Sequence, residues 1–354
     1  MIEIAKDFVG ANVELVDIIG NEVILKNELR DTLEDWFYWA FCVKNAGGKT
    51  LRFRFDEKLR VGYYGAAVSC DLEKWEWTYS KTAGKEEFTY TFAQNENCVY
   101  FAHNMLYHPA RFLRFAKQKG IEVKELCKAK NNDSVPYVTI GKGEKSIVLT
   151  ARHHSCESTG SYVLEGVLDE LSRELPSDYS VFCVPFMDYD GVVAGDQGKS
   201  RKPHDHNRDY GENEPAIYET VAKVRNYADT HEVVFGFDFH SPWHYGGDND
   251  YVFIPKKSVE KLPEINHFAE LLEKSMNENA MQYVRGHDVE PNTKWNKVGS
   301  PCFGTYMLNK KSCLVAFTLE TAYFGTDNNK FSQDKAVDTG RCFAKALRKY
   351  IYEQ

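Results

Sequence analysis

An imidazole and a carboxylate separated by two residues, His154-Ser155-Cys156-Glu157, directly follow the apolar run Ile147-Val148-Leu149-Thr150. Where the backbone turns between them, both can reach one ion, and zinc accepts that nitrogen and oxygen pair. The pair alone is half of a metal site. A catalytic zinc takes three protein ligands and an open position, and it works with a base for the water and cations for an anionic substrate. Three other stretches carry groups of those kinds. The apolar run 233–239 stops at His240, a further imidazole. The run 313–319 stops at Glu320, either a paired polar group at a sheet edge or a base whose pKa is raised. Residues 195–210 hold Lys199, Arg201, Lys202 and Arg208, a local concentration of cations in which arginine's planar fork suits a carboxylate.

These groups need a frame that brings strand ends together. After Glu157 the apolar positions Tyr162, Val163, Leu164, Val167, Leu168, Leu171 and Leu175 recur at helical spacing, and a second apolar run follows at 181–184. Strand, helix and strand in about 40 residues predict a parallel crossover unit. Ligands of open α/β sheets bind at the carboxyl ends of the strands, where His154, Glu157, His240 and Glu320 all fall. The second part of the chain is therefore read as an α/β/α sandwich with a mixed, mainly parallel sheet. Residues 258–279 and 335–352 are amphipathic helical patterns that pack on its faces.

Before it, residues 1–107 read as a small all-β sandwich. An aromatic run at 36–43, the turn Asn45-Ala46-Gly47-Gly48 and the alternation of Leu51, Phe53 and Phe55 with Arg52 and Arg54 predict a hairpin. Further alternation at 75–79, 88–92 and 99–102, with a turn at Lys81-Thr82-Ala83-Gly84, adds strands. The polar stretch 128–134 marks a linker, and the division is drawn as 1–120 and 121–354. His103 and His108 read as ordinary surface or junction histidines.

Composition narrows the function classes. A formal charge of −8 with no long basic run speaks against nucleic-acid binding. No window of 18 apolar residues and no leader pattern is present, so a soluble, cytoplasmic protein is expected, away from membranes. Nine cysteines, an odd number without paired spacing, fit a reducing compartment, and Cys156 reads as a bystander inside the motif.

His154, Glu157, Asn207-Arg208, His240 and Glu320, in that order, make the second part resemble the zinc metallocarboxypeptidases, the carboxypeptidase A superfamily. The closer likeness is to the cytosolic carboxypeptidase branch and its bacterial relatives, with a β-sandwich ahead of a segment like Ala151 to Glu157. The resemblance implies one Zn2+ per chain on His154, Glu157 and His240, with Glu320 as the general base. It implies Asn207 and Arg208 on the substrate's terminal carboxylate, with Arg152 as a further substrate-binding cation. Asp205 would be the carboxylate that orients a ligand histidine, and is placed on His154. Arg201 is assigned the cation that polarises the scissile carbonyl, with Lys199 second in the same loop.

Some residues depart from the family pattern. Its frequent Asn-Pro-Asp-Gly turn reads Asp188-Tyr189-Asp190-Gly191, and His206 stands where an apolar residue is usual. His204 and His206 read as loop hydrogen-bonding groups ahead of a second metal site, His153 is expected to face away from the ligands, and His244 to reach the rim. Branch members that trim acidic tails are expected to carry a basic pocket residue ahead of the catalytic glutamate. Here 300–308 holds no cation, so no acidic preference is assigned, and Thr305 and Tyr306 are the candidates for lining the pocket.

The expected substrate is a peptide or small amide with a free carboxylate, cleaved at its C-terminal amide bond. Two alternatives stand beside it: a zinc deacylase or amidohydrolase acting on N-acyl amino acids or cell-wall peptides, and a binding protein whose peptidase-like domain is inert.

Overall fold

In the computed structural model, residues 2–79 and 86–354 are described, so the turn expected at Lys81 to Gly84 lies outside the described residues. The C-terminal part is built on one six-stranded sheet. Its order is Val123–Lys128, Ser134–Gly141, Tyr179–Val184, Lys145–Ala151, Glu232–His240 and Val315–Glu320. The last four run parallel, and the first two close one edge antiparallel. From Lys145–Ala151 the chain steps to Tyr179–Val184 on one side and then to Glu232–His240 on the other. Strand order reverses there, which opens a crevice at the carboxyl ends.

The four parallel strands are almost wholly apolar because both faces are covered. Helices Ser158–Arg173, Leu262–Ser275 and Gln333–Tyr352 bury their apolar stripes in the same core as Ile147, Phe237 and Phe317. Helix Pro109–Lys119 follows the sandwich in sequence, yet Phe112 and Phe115 also belong to this core.

The N-terminal part is a sandwich of a five-stranded and a four-stranded sheet with its own aromatic core, including Trp39, Phe53, Phe88 and Phe101. The hairpin expected across Asn45 to Gly48 is not formed. Ala40–Lys44 pairs with Glu3–Ala5 and Cys98–Ala102 in one sheet, whereas Thr50–Phe55 pairs with Glu22–Lys26 and Glu87–Thr91 in the other. The turn therefore carries the chain between sheets, and the aromatics of both strands meet face to face instead of edge to edge. His103 and His108, read as surface or junction residues, are buried. All nine cysteines are free, and among the described residues no helix is long and apolar enough to cross a membrane.

Candidate active site

Three strand ends and one turn assemble the donor set. Lys145–Ala151 stops at the turn that carries His154, and Glu157 stands immediately before helix Ser158–Arg173, its side chain turned to the two histidines instead of capping it. That helix start lies hard against the neighbouring strand: a Cβ on Gly160 would sit 2.7 Å from the carbonyl of Phe239, so only glycine allows the approach. His240 ends its strand in register with Glu320 on the next. Nδ1 of His154 lies 2.9 Å from Glu157 Oε1, and Nδ1 of His240 lies 2.7 Å from Glu157 Oε2. These three donors cluster within 4.8 Å of one another. Two imidazole nitrogens and a carboxylate fit a zinc ion with one position left open.

Carboxylates face the far nitrogens, the arrangement that orients a metal-binding histidine and, where a hydrogen bond forms, fixes its tautomer. His154 Nε2 is 3.6 Å from Asp205 Oδ1, and His240 Nε2 is 2.5 Å from Asp238 Oδ2. The other oxygen of Asp238 accepts hydrogen bonds from Thr150 Oγ1 and His153 Nδ1, each at 2.9 Å, and His153 Nε2 meets the Tyr210 hydroxyl at 2.8 Å. Burial works against the charge of Asp238, but His153 and His240 outweigh it and hold the carboxyl well below its ordinary range. His153, Asp238 and His240 also lie close enough to be considered as a metal cluster. Thr150 and Tyr210 close that group off, and it forms the support behind His240 rather than an opening for substrate. His153 is thus outside the cavity, as its extended neighbour geometry predicts, but directly behind a ligand.

A cavity of about 240 Å3 brings His154, Glu157 and His240 together with Lys199, Asn207, Arg208 and Glu320. Glu320 is buried, and its Oε2 has no hydrogen-bond partner among the described residues. Burial, with Glu157 nearby, pushes its pKa up to about 7, against the pull of His240 and Lys199. The Lys199 ammonium lies 2.5 Å from Glu157 Oε1. Arg208 is exposed, and among the described residues it forms no ion pair with a carboxylate. The Asn207 amide oxygen accepts from the Phe303 N–H at 3.2 Å, which leaves its NH2 group toward His240 at 3.5 Å.

Five residues fall elsewhere than the sequence suggests. Arg201 is outside the cavity, saturated by Asp31 at 2.9 Å and by Asp188 and Asp196 at 2.8 Å each. Its planar fork was an equally good match for carboxylates of the protein itself. Lys199 is the cation of that loop that reaches the ligands. Arg152 is also outside: buried at a positive φ of 62°, it donates to the carbonyls of Ser155 and Tyr107 and so braces the turn that carries His154. Thr305 and Tyr306 line a separate cavity of about 390 Å3. His244 is buried away from the rim, stacked 3.7 Å from Phe37 and 2.8 Å from His103.

Three further groups are absent from the sequence reading. Asp238 was within reach of it, since residues i and i+2 of a strand share a face and Asp238 precedes His240 by two. Lys257 was not. It enters the cavity from an irregular segment with no motif, and among the described residues it has no carboxylate partner. Trp36 reaches the same cavity from the N-terminal domain, beside Trp243 and Trp295.

The fold and this donor set define a metallo-carboxypeptidase architecture. Residues 4–103 match the model of the cytosolic carboxypeptidase N-terminal domain. A Zymomonas mobilis protein of unassigned function is 27% identical over 285 residues, 75% of this chain and 72% of its own length. Cytosolic carboxypeptidase 2 of Xenopus tropicalis is 29% identical over 180 residues, which span 43% of this chain but only 19% of that protein. A metallo-carboxypeptidase from Pseudomonas aeruginosa, solved in complex with (2-guanidinoethylmercapto)succinic acid, superposes with a TM-score of 0.80 over 99% of both chains at 18% identity. The chain resembles the zinc carboxypeptidase superfamily in sequence and along its whole fold, and its curated relatives include cytosolic carboxypeptidases.

Proposed function

We propose that the protein is a zinc metallocarboxypeptidase that hydrolyses the C-terminal amide bond of a peptide. The observation that carries this reading is the buried, unpartnered carboxylate oxygen of Glu320 in the cavity of the His154, Glu157 and His240 donors. A bound zinc ion would supply Lewis-acid activation of water and of the scissile carbonyl. Glu320 takes a proton from the attacking water and returns it to the leaving amide nitrogen, so the products are a shortened peptide and a free amino acid. Lys199 faces the carbonyl oxygen as negative charge develops there. Arg208 and Asn207 hold the terminal carboxylate of the substrate. The ammonium of Lys257, without a carboxylate partner among the described residues, favours a terminal side chain that is itself acidic.

Zinc-loaded protein is to be assayed on blocked dipeptides ending in Glu, Phe or Lys, beside N-acetyl amino acids. Glu320→Gln is expected to lower kcat by about 10²- to 10⁴-fold with zinc content unchanged. The base acts deprotonated, so wild-type kcat/KM should fall as the pH drops below about 7, and the added charge of a metal draws that limb lower. Undiminished kcat in the variant would remove Glu320 from its role. Faster turnover of the acyl amino acids would make the protein a deacylase.

A further inference from the structure

We infer that the N-terminal domain is a working part of the active site, in which Asp31 and Trp36 are positioning residues that set the Lys199 ammonium in the cavity. The inference rests on the proposed role of Lys199. A lysine head sits on a flexible four-carbon stem, so it acts at one point only if its surroundings hold it there. The loop that delivers it, residues 196–201, has no helix or strand of its own. Besides residues of its own domain such as Ser155, Cys156 and Asp188, its restraints come from N-terminal residues 28 to 38, far earlier in the chain.

Asp31 straps the backbone just ahead of the lysine and the Arg201 side chain after it. Its Oδ1 accepts the N–H of Gln197 at 3.0 Å, its Oδ2 accepts the N–H of Gly198 at 2.8 Å, and the same Oδ2 pairs with Arg201 at 2.9 Å. The fully buried Gln197 side chain then docks on Tyr38, accepting its N–H and donating to its carbonyl, each at 2.9 Å. Gly198, at φ 76°, allows the loop to lie on the metal-binding turn, where a Cβ would meet the Ser155 nitrogen at 2.2 Å. Leu33 N–H donates to the Ser200 carbonyl at 3.1 Å.

Trp36 completes the arrangement at the side chain. Its indole N–H donates to Ser200 Oγ at 3.3 Å, and its ring lies 4.6 Å from the Lys199 ammonium, whose other contact is Glu157. An indole face attracts a desolvated ammonium, and this one is only 11% exposed. The stem thus runs from a strapped backbone to a head held between an aromatic face and a carboxylate. The saturated Arg201 beside it fixes the loop and leaves Lys199 as the cation presented to substrate.

A double-mutant cycle on the full-length zinc protein tests this. Lys199→Met should lower kcat by about 10²- to 10³-fold, and Trp36→Leu by about tenfold, with KM changed less in each. If Trp36 acts through the lysine, Trp36→Leu costs nothing further once Lys199→Met is present. Additive losses would overturn the inference. Asp31→Asn serves in the same cycle should Trp36→Leu fail to fold.

If the wild type hydrolyses no peptide, the proposed reaction has failed, and the cycle is read in the zinc dissociation constant instead. The Lys199 ammonium beside Glu157 opposes a cation, so Lys199→Met should tighten zinc. Trp36→Leu should then shift zinc binding only while Lys199 is present. Equal shifts in both backgrounds would sink the positioning role independently of the reaction.

Discussion

A carboxylate two residues ahead of a metal-binding histidine decides which nitrogen of that ring is free. Asp238 receives Nε2–H of His240, so Nδ1 keeps its lone pair toward Glu157 and His154. Asp238→Asn keeps the shape but can present an NH2 group to the ring, which favours the wrong tautomer. Zinc affinity, measured by competition with a chelator, is expected to fall about 10- to 100-fold in that variant. Unchanged affinity would mean that the ring is oriented by packing alone.

At the residue scale the proposed ligand His240 and the proposed base Glu320 stood out because each ends an apolar run, a position where a charged group needs a reason, whereas His154 and Glu157 stood out by their spacing in the turn after one. Arg201 was misplaced because cation chemistry is readable in a loop while direction is not: nothing local says that Asp31, 170 residues earlier, claims its guanidinium. Lys257 was illegible for the related reason that an irregular segment has no period from which a facing side could be read.

Among the elements, the helix Ser158–Arg173 matters most, because its first turn carries Glu157 and touches the strand that ends in His240. The contact depends on Gly160, whose added Cβ would collide with backbone that cannot rotate away. Gly160→Ala is expected to lower stability by about 1–3 kcal/mol, as overpacking does, and to weaken zinc with it, since Glu157 and His240 would be moved apart. Denaturant midpoint and zinc titration on one sample check that the two losses travel together. A gain in midpoint, as replacing a helical glycine ordinarily gives, would show that the helix gives way at no cost. The parallel strands and this helix were legible from their periods of apolar residues. The strand pairing of the N-terminal sandwich was not, because alternation tells which face of a strand is buried and not which strand lies beside it.

At the scale of the whole molecule, the two domains meet over a seam that buries His103 from one side and His244 from the other, their rings joined at 2.8 Å and that of His244 stacked on Phe37. Burial, with Arg60 adding to it, lowers the pKa of His103 to about 3 and holds His244 well below its ordinary value. The unfolded chain therefore takes up protons near pH 6.5 that the folded protein refuses. Stability present above that pH should drain away as the pH falls from about 6.5 toward 4. Denaturant midpoints across this range should decline in the wild type and decline less in His103→Gln. Equal slopes would place the acid sensitivity elsewhere.

The order in which the strands supply the cavity also sets a timetable. As the chain leaves the ribosome, the sandwich with its own aromatic core comes out first, carrying Asp31 and Trp36 ahead of the loop they restrain. His154, Glu157 and His240 follow, and a nascent chain that far along has every metal donor. The strand Val315–Glu320 emerges after all of them. Until it joins the sheet, the proposed metal donors are present without the proposed proton acceptor opposite them. On the proposed reaction, a chain built in this order would be inert during its own synthesis until the last strand of the six-stranded sheet arms it.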